Sequence, residues 1–354
     1  MIKVIRDKDA LIEIKTIWNR LYELDTTVTP FQKFDYQLSS LALYPNIQLY
    51  IVLVKNDPTN EWIAVFPFAM DSNHNLCFIN ARHTDFCAPL IHPDYNHYNL
   101  YKELADFIHS DKSIAGLHLD NLIQSSSLLS VLKPHFKYSI THDNNYYSTI
   151  PILKLPSDTD SIDSFRFVQA KHRQKLRKTR KNCLAQGGRL EILKKADDRK
   201  YPEDEINSLM KIMIADGIRA KEYFSDQMLS YFKALYEANI LTIALLYESD
   251  ELRSCNFIYY DERCREYIKW IMLYKENSWN MVLNIMLVDY IYNHGGGSIN
   301  FARGIYDYKL SNFHPDVKPL FCVKISKTGW GHFRNILSTA FHFSKPIIKS
   351  FLRK

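Results

Sequence analysis

Residues 241–272 read LTIALLYESDELRSCNFIYYDERCREYIKWIM, and this stretch decides the fold. It consists of three short runs of β-branched, aliphatic and aromatic residues, separated by the polar turns ESDE and DER. Runs of this kind between turn residues predict an antiparallel three-stranded meander. Residues 49–80, LYIVLVKNDPTNEWIAVFPFAMDSNHNLCFIN, repeat the arrangement with the turns NDPTN and DSNHN, so the chain contains the same unit twice.

Helical patterns flank both meanders in the same order. Two helices are predicted before each meander, and a helix followed by a strand after it. In the first copy these elements cover residues 8–24, 34–43, 96–108 and 116–122, and in the second they cover 204–215, 226–238, 279–292 and 298–304. A strand at 146–155 and a helix over about 160–185 lie between the copies. The pattern therefore predicts a mixed α+β protein of two tandem lobes, each a mostly antiparallel sheet flanked by helices.

The predicted boundaries follow from this order. We place the first lobe at residues 1–155, the second, which carries the donor site, at 156–326, and a separate basic tail at 327–354. The 354 residues fit two domains of ordinary size.

Composition narrows the class of protein. Hydrophobic residues make up 46% of the chain, which excludes general disorder. The N-terminal residues lack the apolar core of a signal peptide, and no apolar run approaches the ~18 residues that span a bilayer. The six cysteines are scattered and form no CxxC pair, so we predict no metal site and reduced thiols in a cytoplasmic protein.

Positive charge is concentrated at the C-terminal end. Residues 318–354 carry eight basic residues and no acid, so the net charge of +6 leaves 6 − 8 = −2 for residues 1–317. Within this segment Trp330, Phe333, Leu337 and Phe341 recur at helical spacing. A basic amphipathic helix of this kind fits peripheral contact with an anionic membrane. The alternative is that the aromatic stripe packs on the second lobe.

The segment YKENSWNMVLNIML (274–287) predicts a turn from a strand into a helix. Unpaired N–H groups at the start of a helix attract phosphates, and Asn277 or Ser278 offers an N-cap. The predicted donor-binding residues are Asn277, Ser278, Trp279, Asn280 and Met281. No glycine lets the backbone approach a phosphate closely, so an ordinary capped helix is the alternative.

The segment INFARGIYDYKLSNFHP (299–315) concentrates groups suited to acyl transfer. Such a reaction needs a base for the acceptor and a cation or N–H donor for the developing negative charge. Asp307 is the predicted base, Tyr308 the predicted proton donor, and Lys309 or Arg303 would hold phosphates of the donor or the acceptor. An Arg303–Asp307 ion pair that braces the loop is the structural alternative.

Two further charged features precede this segment. Asp85 stands beside the apolar residues FCAPL, and a carboxylate next to apolar walls has a raised pKa suited to proton transfer. Alternatively it caps the turn before Pro89. The helix near 160–185 carries seven cations from Lys171 to Lys181 and no acid among them. Arg173 and Arg177 are the predicted substrate-binding residues on this helix, and a solvated surface is the alternative.

Four motifs together resemble a known family. TPFQ (29–32), DFCAPL (85–90), the basic helix that ends near a glycine (173–187) and FARGIYDYK (301–309) resemble, in this order, the CelD-like branch of the GNAT superfamily. That branch is similar in fold to the Fem-type peptidoglycan aminoacyltransferases. The resemblance covers roughly residues 10–325. It departs from the family at Ser278-Trp279-Asn280, where a serine–proline–glycine sequence is typical.

The resemblance implies acyl transfer in cell-envelope or exopolysaccharide assembly. Acyl-CoA, first of all acetyl-CoA, would be the co-substrate, and the acceptor would be an amine or hydroxyl of a small-molecule, lipid-linked or nucleotide-linked sugar. The first alternative is a Fem-type enzyme whose donor is aminoacyl-tRNA, with the basic helix as an RNA contact. The second is a protein that binds membrane or polysaccharide machinery without catalysis.

Overall fold

The computed structural model describes residues 1–95, 97–153, 159–164, 168–304 and 306–352, and the side chains of Tyr308 and of residues 342–352 lie outside that description. The chain forms two compact units. Unit 1 comprises Met1–Gln37, Tyr44–Asn145 and Pro319–Lys354, and unit 2 comprises Leu38–Leu43 and Tyr146–Lys318. Each unit contains a mostly antiparallel sheet with flanking helices, which confirms the predicted α+β class.

The elements are numbered in chain order. The strands are β1 (Ile2–Ile5), β2 (Gln48–Asn56), β3 (Glu61–Met70), β4 (Asn75–Phe78), β5 (Leu90–Ile91), β6 (Gly116–Ile123), β7 (Tyr138–Ile152), β8 (Gly188–Leu193), β9 (Leu241–Glu248), β10 (Glu251–Asp261), β11 (Glu266–Tyr274), β12 (Gly297–Arg303) and β13 (Asp316–Ser326). The helices are α1 (Lys8–Glu13), α2 (Lys15–Leu24), α3 (Phe34–Ser40), α4 (His97–Ser110), α5 (Ala170–Ala185), α6 (Glu203–Ala215), α7 (Asp226–Glu237), α8 (Asn277–Asn293), α9 (Asp307–Phe313) and α10 (Gly329–Leu352).

The sheets of the two units have the same topology. In unit 1 the strand order is β1-β2-β3-β4-β6-β13, with β5 paired to β3. Neighbours are antiparallel except for the parallel pair β4–β6. In unit 2 the order is β8-β9-β10-β11-β12-β7, and again one pair, β11–β12, is parallel. The repeat predicted from the two meanders is therefore present strand for strand.

The last strand of each sheet comes from a distant part of the chain. β13 pairs with β6 in unit 1, and the end of β7 pairs with β12 in unit 2. The two compact units consequently divide at Asn145/Tyr146 and at Lys318/Pro319. The lobe boundaries at 155/156 and 326/327 stay predictions. Sequence periodicity finds strands but does not show which edge each strand pairs with, so the exchange was missed.

The cores form where the apolar spacing predicts. On α2, Trp18, Leu21 and Tyr22 are buried, as their helical spacing requires. On α8 every residue from Val282 to Val288 is buried, as expected for the middle of a helix that is surrounded by the core.

Two connecting segments differ from expectation. Residues 161–164 form a short 3-10 turn and α5 begins only at Ala170, whereas one helix over about 160–185 was predicted. Residues 307–313, expected as a loop, form the short helix α9. Among the described residues, no helix is long and apolar enough to cross a bilayer.

The pairing of β13 with β6 depends on a glycine. Gly116 lies opposite Ser326, and a Cβ added there would meet the carbonyl oxygen of Ile325 at 2.0 Å. We expect Gly116→Ala to lower the free energy of unfolding of unit 1 by about 1–3 kcal/mol, because one strand must move. Urea denaturation measures the change. Gly329→Ala is the control, since its nearest neighbour would be 3.6 Å away. Equal stability of the two variants would contradict the pairing.

Candidate active site

The parallel strands β11 and β12 in unit 2 pair over a short distance only. The register joins Glu266 to Ser298 and ends with Ile268 opposite Asn300. No further pair of these strands forms within the described part of the chain, although β11 continues to Tyr274. On β12 the register against β7 shifts after Asn300, and Ala302 has a φ of 56°. The strands thus separate toward their carboxyl ends, where parallel sheets commonly bind ligands.

A ladder of buried polar side chains lies at this separation. The Nζ of Lys269 on β11 donates to Oδ1 of Asn284, and Nδ2 of Asn284 donates to Oδ1 of Asn280 at 3.1 Å. All three residues are at most 5% exposed. Burial, together with the positive charge of Lys309, holds the pKa of Lys269 well below its ordinary value. A lowered pKa favours the nonionised amine, and lysine amines of this kind serve as proton acceptors at functional sites.

Asn256 adds an unsatisfied amide to the same face of the sheet. It lies two residues before Ile258, which is the β10 partner of Lys269, so both side chains project to one side. Asn256 is fully buried, and neither of its amide atoms has a hydrogen-bond partner among the described residues. Leaving such a group unpaired costs about 1–3 kcal/mol. A bound ligand with a polar group would recover that cost.

The start of α8 holds the predicted donor-binding residues. The N-cap is Glu276 rather than Asn277 or Ser278, and its side chain makes no capping hydrogen bond. Asn277 and Ser278 are exposed, while Asn280 is turned into the buried ladder. The other two predicted residues, Trp279 and Met281, are half-buried.

An ion-paired arginine covers part of this helix start. The guanidinium carbon of Arg253 lies 5.7 Å from the centroid of the Trp279 ring. Arg253 also forms ion pairs with Glu248 at 2.9 Å and with Glu251 at 2.6 Å. Acidic groups and an indole therefore surround the position where a GNAT core was expected to bind a pyrophosphate.

The loop between β12 and α9 is held by Lys309. Its ammonium, in a residue that is 3% exposed, donates to the carbonyls of Phe301 at 2.7 Å, Gly304 at 3.0 Å and Arg303 at 3.4 Å. Gly304 has a φ of +95°, and a Cβ there would meet the Tyr306 ring at 2.7 Å. These contacts give Lys309 a structural role in the loop, and its catalytic role stays a prediction.

Asp307 and Tyr308 open the helix α9. Asp307 is exposed and is the first residue of the helix, with Tyr306 as N-cap. The side chain of Tyr308 lies outside the described residues. At the other end of α9, His314 contacts His172 of α5 at 3.4 Å. This contact places α5 against the C-terminal end of α9, and the predicted base Asp307 is at the N-terminal end of the same helix.

The arginines of α5 are bound to acids of unit 2. Arg177 forms an ion pair with Asp163, and Arg173 lies 3.9 Å from the same carboxylate. Arg180 pairs with Asp160 and with Asp289. The acids belong to the 161–164 turn region and to α8, which pack on this face of α5. Arg173 and Arg177, predicted to bind substrate, thus serve first in an internal ion-pair network.

The lysines of α5 form a separate, solvent-exposed face. This lysine face, spaced by four, three and three residues, consists of Lys171, Lys175, Lys178 and Lys181. None of the four has an ion pair within the described ranges. With His172, Gln174 and Arg177 they line a groove of about 700 Å³. The sequence shows that arginines and lysines lie on opposite faces of α5. It does not show which acids pair with the arginines.

In unit 1, two of the quoted motifs contact each other. The amide of Gln32, from TPFQ, donates to the carbonyl of Phe86 at 2.6 Å, and its oxygen accepts from the Thr29 hydroxyl at 2.9 Å. Asp85 is 4% exposed, in a segment that Asn121 also holds through Ala81 and Thr84. Asp85 therefore belongs to unit 1, whereas the other predicted catalytic residues belong to unit 2.

One group of side chains resembles a metal-ligand set, although none was predicted. The potential ligand atoms of His118, Asp120 and Cys322 lie within 4.8 Å of one another in unit 1. Asp120 already accepts from Asn144 at 3.2 Å, and His118 lies 3.5 Å from it. Hydrogen bonding thus accounts for the cluster.

Comparison with known proteins establishes the fold. No sequence-family model matches the chain, and no curated protein matches it in sequence. The C-terminal domain of a putative lysylphosphatidylglycerol synthetase from Agrobacterium fabrum superposes with a TM-score of 0.59 at 10% identity, over 93% of this chain and 96% of that one. For FemX the TM-score is 0.58 at 10% identity, over 91% and 97% of the chains.

A tandem GNAT protein from the clavulanic acid biosynthesis pathway superposes with a TM-score of 0.50 at 10% identity, over 91% of this chain and 98% of that one. The chain therefore has a tandem GNAT-like fold, as predicted. Identities this low establish the fold alone, and the likeness extends to the superfamily fold without supporting the CelD-like branch.

The buried amine of Lys269 predicts a pH dependence of stability. The unfolded chain binds a proton that the folded chain releases, so this group stabilises fully above pH 10.5 and progressively less as the pH falls toward the folded-state pKa. We expect Lys269→Met to reduce the rise in unfolding free energy between about pH 7 and about pH 10.

Urea denaturation at several pH values measures this rise. Lys211→Met, at an exposed position on α6, is the control and should keep the wild-type slope. A Lys269→Met variant with the wild-type slope would show that Lys269 is ionised in the folded protein.

Proposed function

We propose that the protein is an acyltransferase whose donor carries several phosphates. The observation that supports this most directly is the lysine face of α5, four exposed cations without acidic partners along one groove. Such a surface attracts polyanions, and its attraction is strongest at low salt. The groove adjoins α9 through the His172–His314 contact, so a donor held there lies beside the helix that carries Asp307.

Acyl-CoA, with acetyl-CoA first, is the first candidate donor. The pantetheine part of acyl-CoA would bind between β11 and β12, where the two strands separate. The unpaired amide of Asn256 would form a hydrogen bond with a polar group of this ligand. The residues Asn277–Met281 would face its pyrophosphate. The acceptor would be an amine or hydroxyl of a sugar or cell-envelope precursor, as the CelD-like resemblance implies.

Aminoacyl-tRNA is the second candidate donor. It is favoured by the start of α8, where Glu276 caps the helix, no glycine is present and Trp279 lies under Arg253. A carboxylate at that position repels a pyrophosphate. The lysine face would then contact consecutive phosphates of an RNA backbone, which is the usual way that proteins bind nucleic acids irrespective of sequence.

In either case the transfer is direct. The acceptor nitrogen or oxygen attacks the acyl carbon, the bond from that carbon to the donor's sulfur or oxygen breaks, and the acceptor's proton moves to a base. Asp307 is the proposed base. Lys269, whose pKa is lowered by burial, is a second group able to accept a proton. The non-catalytic alternative is a protein that binds membrane or polysaccharide machinery without turnover.

Charge reversal on the lysine face tests donor binding. We expect Lys175→Glu/Lys178→Glu to weaken binding of the donor by about tenfold or more and to reduce its salt dependence. Calorimetric titration with acetyl-CoA and with deacylated tRNA measures both effects. The control Lys200→Glu/Lys211→Glu makes the same change of net charge at exposed positions of unit 2. If the two double variants bind acetyl-CoA and tRNA with the same affinity, the lysine face does not bind the donor.

The proposed base is tested by one substitution. Asp307→Asn should lower turnover by about 10²–10⁴ without changing the unfolding transition, because the carboxylate is exposed and the amide has the same shape. Asp316→Asn is the control, at a carboxylate that pairs with Lys318 on the surface. Unchanged turnover in Asp307→Asn would show that Asp307 is not the base that takes the proton of the acceptor.

A further inference from the structure

The helix α10 in unit 1 exposes an apolar face. Trp330 is 69% exposed and Phe341 58%. The rings of Trp330 and Phe333 stack at a centroid distance of 5.7 Å, which joins them into one surface. The apolar face consists of Trp330, Phe333, Leu337 and Phe341, with Ile336 beside them. The stripe that the sequence predicted is therefore present, and its four side chains are between 47% and 69% exposed.

The polar side of the same helix faces the protein. Lys324 of β13 donates to the hydroxyls of Ser338 at 2.8 Å and Thr339 at 3.2 Å. His332 packs against Tyr138 with the ring centroids 5.5 Å apart. An amphipathic helix on the surface of a protein in water normally buries its apolar side. Here the orientation is reversed, and large exposed apolar surfaces of this kind mark interaction sites.

Charge indicates the partner. From Lys318 onward the sequence contains eight basic residues and no acid, and four of them, Lys345, Lys349, Arg353 and Lys354, follow the apolar face. A cavity of about 670 Å³ at the base of α10 is lined by three of these eight residues, Lys324, Lys327 and Arg334, and adds Lys112, with Asp71 as the acid in its lining. A second copy of the chain would bring two such basic segments together, which like charges oppose.

We propose that α10 docks the protein on an anionic lipid surface. Trp330, Phe333, Leu337 and Phe341 enter the interface between headgroups and acyl chains, and the basic residues contact anionic headgroups. The cavity beside Trp330 gives the phosphate of a lipid headgroup a cationic site. The proposal holds independently of the transferase activity, because α10 and the cavity at its base belong to unit 1.

Vesicle co-sedimentation of the full chain tests the proposal. With vesicles of phosphatidylcholine and phosphatidylglycerol we expect binding that weakens with salt, and far less binding with phosphatidylcholine alone. The double variant Phe333→Ser/Leu337→Ser should lower the partition coefficient by about tenfold or more, because the apolar contribution is lost. Ile12→Ser/Tyr98→Ser, at two other exposed apolar residues of unit 1, is the matched control and should bind as the wild type does.

Tryptophan fluorescence provides a second readout. Trp330 emission should shift to shorter wavelength on binding, and Trp330→Phe should abolish the shift while the protein still sediments with vesicles. Absence of the full chain from anionic vesicles would overturn the proposal. So would equal binding by the Phe333→Ser/Leu337→Ser variant, or a concentration-dependent dimer that this variant abolishes while no vesicle binding occurs.

Discussion

Each sheet depends on one parallel strand pair, and that pair is hydrogen-bonded over only two or three residues. The pairs are Asn75–Gly116 and Leu76–Leu117 in unit 1, and those from Glu266–Ser298 to Ile268–Asn300 in unit 2. Beyond them the strands part, and the outer strand, β6 or β12, is paired along its other edge by β13 or β7. Because β13 follows unit 2 in the chain, the sheet of unit 1 is completed only by residues near the C-terminal end of the sequence.

The buried polar side chains of unit 2 lie at this separation of β11 and β12. Lys269 lies next to the last paired residue of β11, and its buried amine contacts the amide of Asn284 and the ring of Phe301. Burial lowers the pKa of this amine, while the asparagines satisfy it without supplying a counter-charge. A buried lysine without a carboxylate partner destabilises the fold near neutral pH, and functional sites are where proteins retain such groups.

The sequence predicts much of this structure because the informative patterns are local. Strand runs, helical spacing and turn residues located both meanders and the helix α10 from neighbouring residues alone. What it missed is long-range. The exchange of β7 and β13, the ion pairs of Arg173 and Arg177, and the ladder from Lys269 to Asn284 all join residues of different elements. Patterns of neighbouring residues do not show such pairings. The spacing of arginines and lysines on α5, in contrast, is visible in the sequence and indicates two faces of the helix.

The most direct test asks whether the protein binds a phosphate-rich donor. It is a calorimetric titration of the unmodified full chain with acetyl-CoA, a longer acyl-CoA and tRNA, in parallel at low and high salt. We expect saturable binding of at least one of these phosphate-rich donors at low salt, and marked weakening at high salt, because the lysine face is solvent-exposed and screened by ions. No measurable binding of any of the three at low salt, or an affinity independent of salt, would contradict it.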